Sequence, residues 1–193
     1  MDAQPQTRIG MPMDEFIRQY DEAPFELVDG ERIPLALQVA GQAYVVSALA
    51  EAFFLYERHA AQATVFLHLP FVQIDDAGWV IASRTPKIAL YDTRRWLDNR
   101  SRDADWRHKP LLLAPDLCIE VLSPNENTPD LSEKASAYLN DGVRLVWVVN
   151  TRQQFVTVHS HEHTIRLTEA DTLDGGSVLP EFSVAVAAIF NPS

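Results

Sequence analysis

Glu120 is the residue whose chemistry most needs explaining, because it stands inside an apolar run. The run Leu117-Cys118-Ile119-Glu120-Val121-Leu122 is apolar on both faces, which is typical of a central strand that is covered on each side. An unpaired ionised carboxylate would cost several kcal/mol at such a position. Either a structural salt bridge (or a strand end close to solvent) accommodates it, or it belongs to a metal or catalytic site.

Two other residue types could carry chemistry. His159, His161 and His163 recur at strand spacing and could line one face as imidazole ligands, although the polar end of a hairpin predicts the same pattern. Cys118 is the single cysteine and lies in the same apolar run as Glu120. It excludes an intramolecular disulfide and is interpreted as a small buried hydrophobe rather than a reactive thiol.

The elements around Glu120 predict a crossover unit. A polar loop at 123–129 follows the strand at 117–122, and the sequence then predicts a helix at 131–141, with a capping box from Asp130 to Glu133 and a stop at Gly142. A second buried strand follows at 143–149. A right-handed strand, helix and strand of this length places the two strands parallel to each other.

The rest of the chain predicts an α/β fold with a mixed sheet. Asp29-Gly30 suits the positive φ angles of a type I′ turn inside a hairpin at 25–33. The charged stretch 92–110 has no sustained period and is predicted to be a partly helical excursion or a mobile loop. The other predicted elements are helices at 13–20, 39–59 and 184–190, strands at 63–69, 71–75 and 79–83, a strand after Pro86 and a hairpin at 154–167.

Length and composition bound the organisation of the chain. Its 193 residues, 47% of them hydrophobic, predict one domain over 1–193 with a core at about 13–190. No stretch reaches the roughly 20 apolar residues that a membrane span requires, and the first residues are polar. Together with the single cysteine, these features favour a cytoplasmic protein without a membrane partner.

Charge is distributed unevenly along the chain. The formal net charge of −11 argues against nucleic-acid binding, since lysine and arginine supply most of the affinity for phosphates. Between Arg84 and Lys109, however, eight basic residues stand against four aspartates, which gives this segment a charge of +4 and leaves −15 for the remainder. The 84–109 segment could therefore provide a surface that faces DNA.

Four blocks of the sequence resemble successive signatures of the Uma-type restriction endonuclease family, over about residues 13–190. The third block, followed by a helical lysine and Gly-Val, is the specific one. The blocks are Phe25-Glu26-Leu27-Val28-Asp29-Gly30-Glu31, then Arg84-Thr85-Pro86-Lys87-Ile88-Ala89, then Pro115-Asp116-Leu117-Cys118-Ile119-Glu120-Val121-Leu122-Ser123-Pro124, and finally Lys134 with Tyr138, Gly142-Val143 and Trp147.

The resemblance implies a restriction-endonuclease-like fold of the PD-(D/E)XK superfamily, an Mg²⁺-dependent DNA endonuclease and a homodimer. It also implies that Glu26 and Glu120 are metal ligands and that Lys134 positions the attacking water. The superfamily's usual lysine would fall at Leu122, but this family supplies it from the following helix. Carboxylates are suitable ligands for Mg²⁺, and a nearby ammonium adds positive charge in the transition state.

Lys87 departs from the family pattern, which has aspartate after Arg-Thr-Pro. We expect Glu26, Lys87, Glu120 and Lys134 to converge in one pocket, where a lysine in place of the aspartate would neutralise the cluster, weaken Mg²⁺ binding and impair catalysis. Alternatively, Lys87 points to solvent or DNA and Asp75, Asp76 or Asp92 replaces the missing ligand.

Two further functions remain open. One is a catalytically silent module that binds nucleic acid or a protein partner through 84–109, and the other is a structural or regulatory module without nucleic-acid contact.

Overall fold

The computed structural model describes residues 9–60, 62–122 and 128–191. A six-stranded mixed sheet is its largest element, and helices cover both faces. In chain order the elements are β1 (Met11–Pro12), α1 (Met13–Glu22), β2 (Phe25–Val28), β3 (Glu31–Pro34), α2 (Ala40–Ala60), β4 (Ala63–Leu67), β5 (Phe71–Ile74), β6 (Trp79–Arg84), β7 (Ile88–Asp92), α3 (Thr93–Arg102), a 3₁₀ turn (Trp106–His108), β8 (Leu117–Val121), α4 (Thr128–Asn140), β9 (Leu145–Asn150), β10 (Phe155–His159), β11 (Thr164–Thr168), β12 (Thr172–Gly175), β13 (Leu179–Ala185) and α5 (Val186–Phe190).

The large sheet has the order β11-β10-β9-β8-β7-β4, so β8 lies near its middle. β8 pairs parallel with β9 and antiparallel with β7. All five residues of β8 are buried, as the apolar run predicts. The predicted crossover of strand, helix and parallel strand is therefore confirmed.

The two faces of β8 contribute to different cores. Leu117 and Ile119 pack with α2 and α5 on one face, where Phe53 and Trp147 stack with ring centroids 5.7 Å apart. Cys118 packs on the other face with α3 and α4. Since side chains alternate along a strand, Glu120 lies on the same face as Cys118.

A smaller antiparallel sheet, β1-β6-β5, and the hairpin β2–β3 pack together with α1. At the hairpin turn, Asp29 and Gly30 have φ angles of 51° and 84°, so both occupy the region that a type I′ turn requires. Their predicted turn is confirmed. β2 of this hairpin carries Glu26.

The stretch 92–110 is partly helical, as predicted, and it packs against the large sheet. Trp96 of α3 is buried, and Trp106 meets it edge to face with centroids 5.1 Å apart. Asp92 caps α3 by accepting a hydrogen bond from the backbone N–H of Arg95. The packing of Trp96 and Trp106 therefore attaches this charged segment to the large sheet.

The structure corrects or extends the predicted elements in three places. α4 already includes Thr128, so Asp130 lies within the helix and is not its N-cap. The β12–β13 hairpin and the short β1 were not predicted. The predicted loop at 123–129 falls largely on residues 123–127, which lie outside the described residues.

Candidate active site

The Lys134 ammonium joins two glutamates that come from different sheets. Its Nζ lies 2.9 Å from Oε1 of Glu120 and 3.2 Å from Oε1 of Glu26. The side chains of Glu120 and Glu26 are only 5% and 8% exposed, whereas that of Lys134 is 25% exposed. One partly accessible cation therefore lies between two nearly buried carboxylates.

Glu26 is held in place where β2 packs on β6. Its Oε1 accepts the backbone N–H of Thr85 at 2.8 Å, directly after β6 ends. The next residue of β2, Leu27, donates its backbone N–H to Oγ of Ser83 at 2.7 Å. These two contacts fasten the hairpin to the end of β6 and aim Glu26 at α4.

Glu120 is held from the opposite side by α4. The Tyr138 hydroxyl donates to Oε1 of Glu120 at 2.5 Å, and Tyr138 is fully buried. Tyr138 lies one helical turn after Lys134, so both side chains extend from the same face of α4 toward the strand. The helix thus presents a cation and a neutral donor to the same carboxylate oxygen.

Burial and the neighbouring charges shift the pKa values of Glu120 and Lys134. Burial raises the pKa of Glu120, and the Glu26 carboxylate adds to the rise, while Lys134 opposes it. Burial disfavours the ammonium of Lys134, but the two carboxylates outweigh burial and raise its pKa. Lys134 is therefore charged throughout the physiological range and supplies the positive charge that Glu120 needs.

Lys87 lies beside Glu120 in the sheet but does not join the ion pairs. Its backbone N–H donates to the carbonyl of Ile119 at 3.0 Å. Its charge contributes, after burial, to lowering the pKa of His68, which donates its backbone N–H to the Lys87 carbonyl. Within the described residues we find no ion pair between Lys87 and either glutamate.

This placement changes the expected charge sum of the cluster. With Lys87 included the cluster would be neutral, but the groups in contact are the two glutamates and Lys134, which total −1 when all three are ionised. Lys87 immediately precedes β7, and its charge adds to the effect of burial in lowering the pKa of His68. Lys134, and not Lys87, is the internal cation of the cluster.

The alternative acidic ligands are engaged elsewhere. Asp75 accepts the backbone N–H groups of Ala77 and Trp79 in the β5–β6 turn, and Asp92 caps α3. Asp76 is exposed in the same β5–β6 turn. None of the three is brought to the glutamate pair.

The histidines lie at the β10–β11 hairpin. His159 ends β10 with its Nδ1 3.3 Å from Oγ1 of Thr164, while His161 and His163 are exposed in and beside the turn. In the described part of the chain, no three His, Cys, Asp or Glu residues cluster as metal ligands would. The pattern is that of a polar hairpin end.

Tyr138 and the Thr85 main chain also belong to the site, although no role at the site was predicted for either of them. A signal for Tyr138 existed, because it follows Lys134 by four residues in the predicted helix and so shares its face. The Thr85 contact is made by the main chain. It has no side-chain signature in the sequence.

The two glutamates fit a divalent cation that is held only partly by protein. The contacts from Thr85, Tyr138 and Lys134 are all made to the Oε1 atoms of the two glutamates. Mg²⁺ is commonly bound through one or two carboxylates, with water and substrate phosphate completing its shell. The donor set suits such an open site and does not form a closed cage.

The helical part of the basic segment, α3, begins near the end of β8 that is farther from Glu120. Arg95 pairs with Asp116, which immediately precedes β8, so α3 starts about 13 Å from Glu120 along the strand. Several of its cations are used internally. The ion pairs that do so are Arg84–Asp141, Arg95–Asp116, Arg102–Asp98 and Lys109–Asp103.

Among the described residues, the basic side chains of 84–109 without an ion pair are Lys87, Arg94, Arg100 and Arg107. The Arg107 guanidinium lies 4.5 Å from the ring centroid of Trp106. The surface available to phosphates is therefore smaller than the sequence count of eight indicates.

The fold is a mixed sheet flanked by helices, with Glu120 of the central strand β8 and Glu26 of the β2–β3 hairpin meeting a lysine of α4. A crystal structure described as a putative nuclease belonging to DUF820 from Anabaena variabilis is similar to this chain, with a TM-score of 0.74 and 19% identity. The alignment covers 93% of this chain and 97% of that one. At this identity the likeness supports the fold.

The sequence also matches a family model. The model of the Uma2 family, described as "Putative restriction endonuclease", matches residues 13–187, so the chain belongs to that family. No curated protein matches the chain. In the part of the chain that the structure describes, no helix is long and apolar enough to cross a membrane.

Proposed function

We propose that this protein is a metal-dependent DNA endonuclease whose catalysis is weakened by Lys87. The observation that carries the proposal is the convergence of Glu26, Glu120 and Lys134 in one nearly buried cluster. Membership of a family described as restriction endonucleases supplies the reaction class. The fold alone would not, because one fold serves many activities.

In this proposal Glu26 and Glu120 would hold the divalent cation. When bound, Mg²⁺ would neutralise charge on the phosphate and lower the pKa of a bound water. Lys134 keeps a fixed positive charge beside the reacting phosphate and is oriented by both glutamates. Tyr138 and the Thr85 N–H occupy the Oε1 atoms and so restrain both carboxylates.

Lys87 is the reason to expect weak metal binding. It neighbours Glu120 across the sheet, where a carboxylate could serve as a further ligand. An ammonium there removes that ligand and adds a repulsive charge. Since Mg²⁺ dehydrates reluctantly, one ligand more or less commonly decides whether its site forms.

Nicking of supercoiled plasmid with Mg²⁺ or Mn²⁺, together with calorimetric titration of the ion, tests the proposal. We expect slow nicking by the wild-type protein, none by E120Q, and at least about tenfold tighter ion binding by K87D. K109M, which alters a lysine outside the cluster, is the matched control. Nicking that survives in E120Q, or equal ion affinity in K87D and wild type, contradicts the proposal.

A catalytically silent DNA-binding module is the second candidate, supported by the unpaired cations of 84–109. If all four contact phosphates, the logarithm of duplex affinity should fall with a slope of about −3.6 against the logarithm of salt concentration. Affinity would then drop about 50-fold between 50 and 150 mM salt. Electrophoretic shift over this range tests it, and salt-independent or undetectable binding refutes a DNA role for this surface.

Assembly and location complete the proposal. We propose a single domain over 1–193 that forms a homodimer, as the family resemblance implies, and that acts in the cytoplasm. The buried, reduced Cys118 is compatible with a reducing compartment. Light scattering coupled to size exclusion measures the mass directly, and a monomer at micromolar concentration would refute the dimer.

A further inference from the structure

Among the described residues, the Tyr138 hydroxyl has one hydrogen-bond partner, and that partner is a proposed metal ligand. It donates to Oε1 of Glu120 at 2.5 Å from a fully buried position. The ring packs against Phe71 with centroids 6.1 Å apart and lies 5.9 Å from Nζ of Lys134. A phenylalanine would keep both ring contacts, so packing alone does not require the hydroxyl.

Tyr91, the second tyrosine of the same core, provides a comparison for the Tyr138 hydroxyl. Tyr91 is also buried, and its ring contacts Phe66 and Trp96. Its hydroxyl has no hydrogen-bond partner among the described residues. The core thus contains one tyrosine whose hydroxyl is directed at a carboxylate and one whose hydroxyl is not.

Two side chains of α4 contact the same carboxylate oxygen of Glu120. The Tyr138 hydroxyl and the Lys134 ammonium both contact Oε1. Lys134 alone does not fix this arrangement, because its ammonium is shared with Glu26 and its side chain is 25% exposed. The rigid, buried phenol is the contact that can hold the carboxylate in a single rotamer.

We propose that Tyr138 is a positioning residue: by occupying Oε1 it orients Glu120 so that Oε2 faces the cation and the phosphate. The inference rests on the proposed function for the identity of the ligand. Partners that orient metal ligands commonly change metal affinity by about 10- to 100-fold when they are removed. Tyr138 would act through Glu120 and would not touch the substrate.

Mn²⁺ affinity, measured by calorimetry and by the electron paramagnetic resonance of the free ion, tests the inference without relying on activity. Y138F should bind Mn²⁺ at least about tenfold more weakly than wild type, while Y91F should bind it equally well. In an E120Q background, Y138F should have no further effect, because the carboxylate that it orients is absent. Equal loss in Y138F and Y91F, or no loss in either, overturns the positioning role.

A crystal structure of Y138F separates this inference from the proposed function. We expect the Glu120 carboxylate to leave its wild-type rotamer, with its contact to Lys134 broken or moved to the other oxygen. If Glu120 keeps its rotamer, Tyr138 does not position it, whatever the metal titration shows. Absence of Mn²⁺ binding by the wild-type protein would refute metal dependence, while a displaced Glu120 in Y138F would still establish the positioning role.

Discussion

Replacing Lys134 with methionine would remove the only cation that contacts both buried glutamates among the described residues. Methionine preserves most of the apolar stem, so the change isolates the ammonium. In K134M, Glu26 and Glu120 would keep their hydrogen bonds from Thr85 and Tyr138 but would face each other as uncompensated charges. We therefore expect a large loss of stability at neutral pH.

The size of the loss follows from burial. Removing one partner of a buried ion pair commonly costs about 3–5 kcal/mol, because the remaining charge is left without compensation. Here two carboxylates lose one shared partner at 2.9 and 3.2 Å. The two remaining hydrogen-bond donors and the packing of methionine offset part of this, so we expect a loss of about 3 kcal/mol in the free energy of unfolding.

Urea unfolding at pH 7.5 measures the loss, and K109M provides the control. Lys109 is 21% exposed, similar to Lys134, and pairs at 3.0 Å with Asp103, which is 23% exposed. That more accessible pair should contribute about 0.2–1 kcal/mol. If K134M loses no more than K109M, burial of the glutamates does not set the strength of the contact.

The pH dependence provides a second check with a defined sign. Burial and Glu26 already raise the pKa of Glu120 against the opposing effect of Lys134, so removing Lys134 should raise it further. A carboxyl with a raised pKa in the folded state loses stability as the pH rises through that value. The deficit of K134M should therefore shrink as the pH falls from 7.5 toward the ordinary glutamate value of 4.5. A deficit that stays constant or grows on acidification would refute the reasoning.

Three other predictions concern the framework around the site. Cys118 should resist thiol reagents in the native state and react in urea, since it is buried and burial raises the pKa of its thiol. Gly10→Ala should lower the free energy of unfolding by more than about 1 kcal/mol in urea titrations, because φ is +101° and the new Cβ would lie 2.3 Å from the Val80 carbonyl oxygen. Asp141→Ala should lower the free energy of unfolding by about 2 kcal/mol in the same titrations, because it leaves the mostly buried Arg84 guanidinium without its carboxylate partner.

The crossover unit could be predicted because its signals are local. The run 117–122 is apolar at both odd and even positions, which predicts a strand buried on both faces. Gly142 marks the end of the following helix. The right-handed crossover rule then predicts that β8 and β9 are parallel. The start of α4 was misplaced because Asp130 to Glu133 imitates a capping box inside a helix that begins at Thr128. The residue types at 130–133 do not indicate that α4 already begins at Thr128.

Less of the candidate site than of the fold could be predicted from local sequence signals. Placing Glu26 beside Glu120 relied on the family resemblance, since nothing in the local sequence links a hairpin near the amino end to a central strand. The position of Lys87 depends on how β7 begins, which composition does not encode. Lys87 neighbours Glu120 in the sheet, but among the described residues it makes no ion pair with either glutamate.

The bridge between Glu26 and Glu120 has a consequence for folding kinetics. Glu26 belongs to a hairpin that packs with the smaller sheet, whereas Glu120 and Lys134 belong to a compact crossover unit. Contacts between segments distant in the chain require the closure of long loops and tend to form after local ones. If the bridge closes late, K134M should accelerate unfolding more than it slows refolding in stopped-flow experiments. The cluster would then serve as a latch whose strength sets the lifetime of the native state.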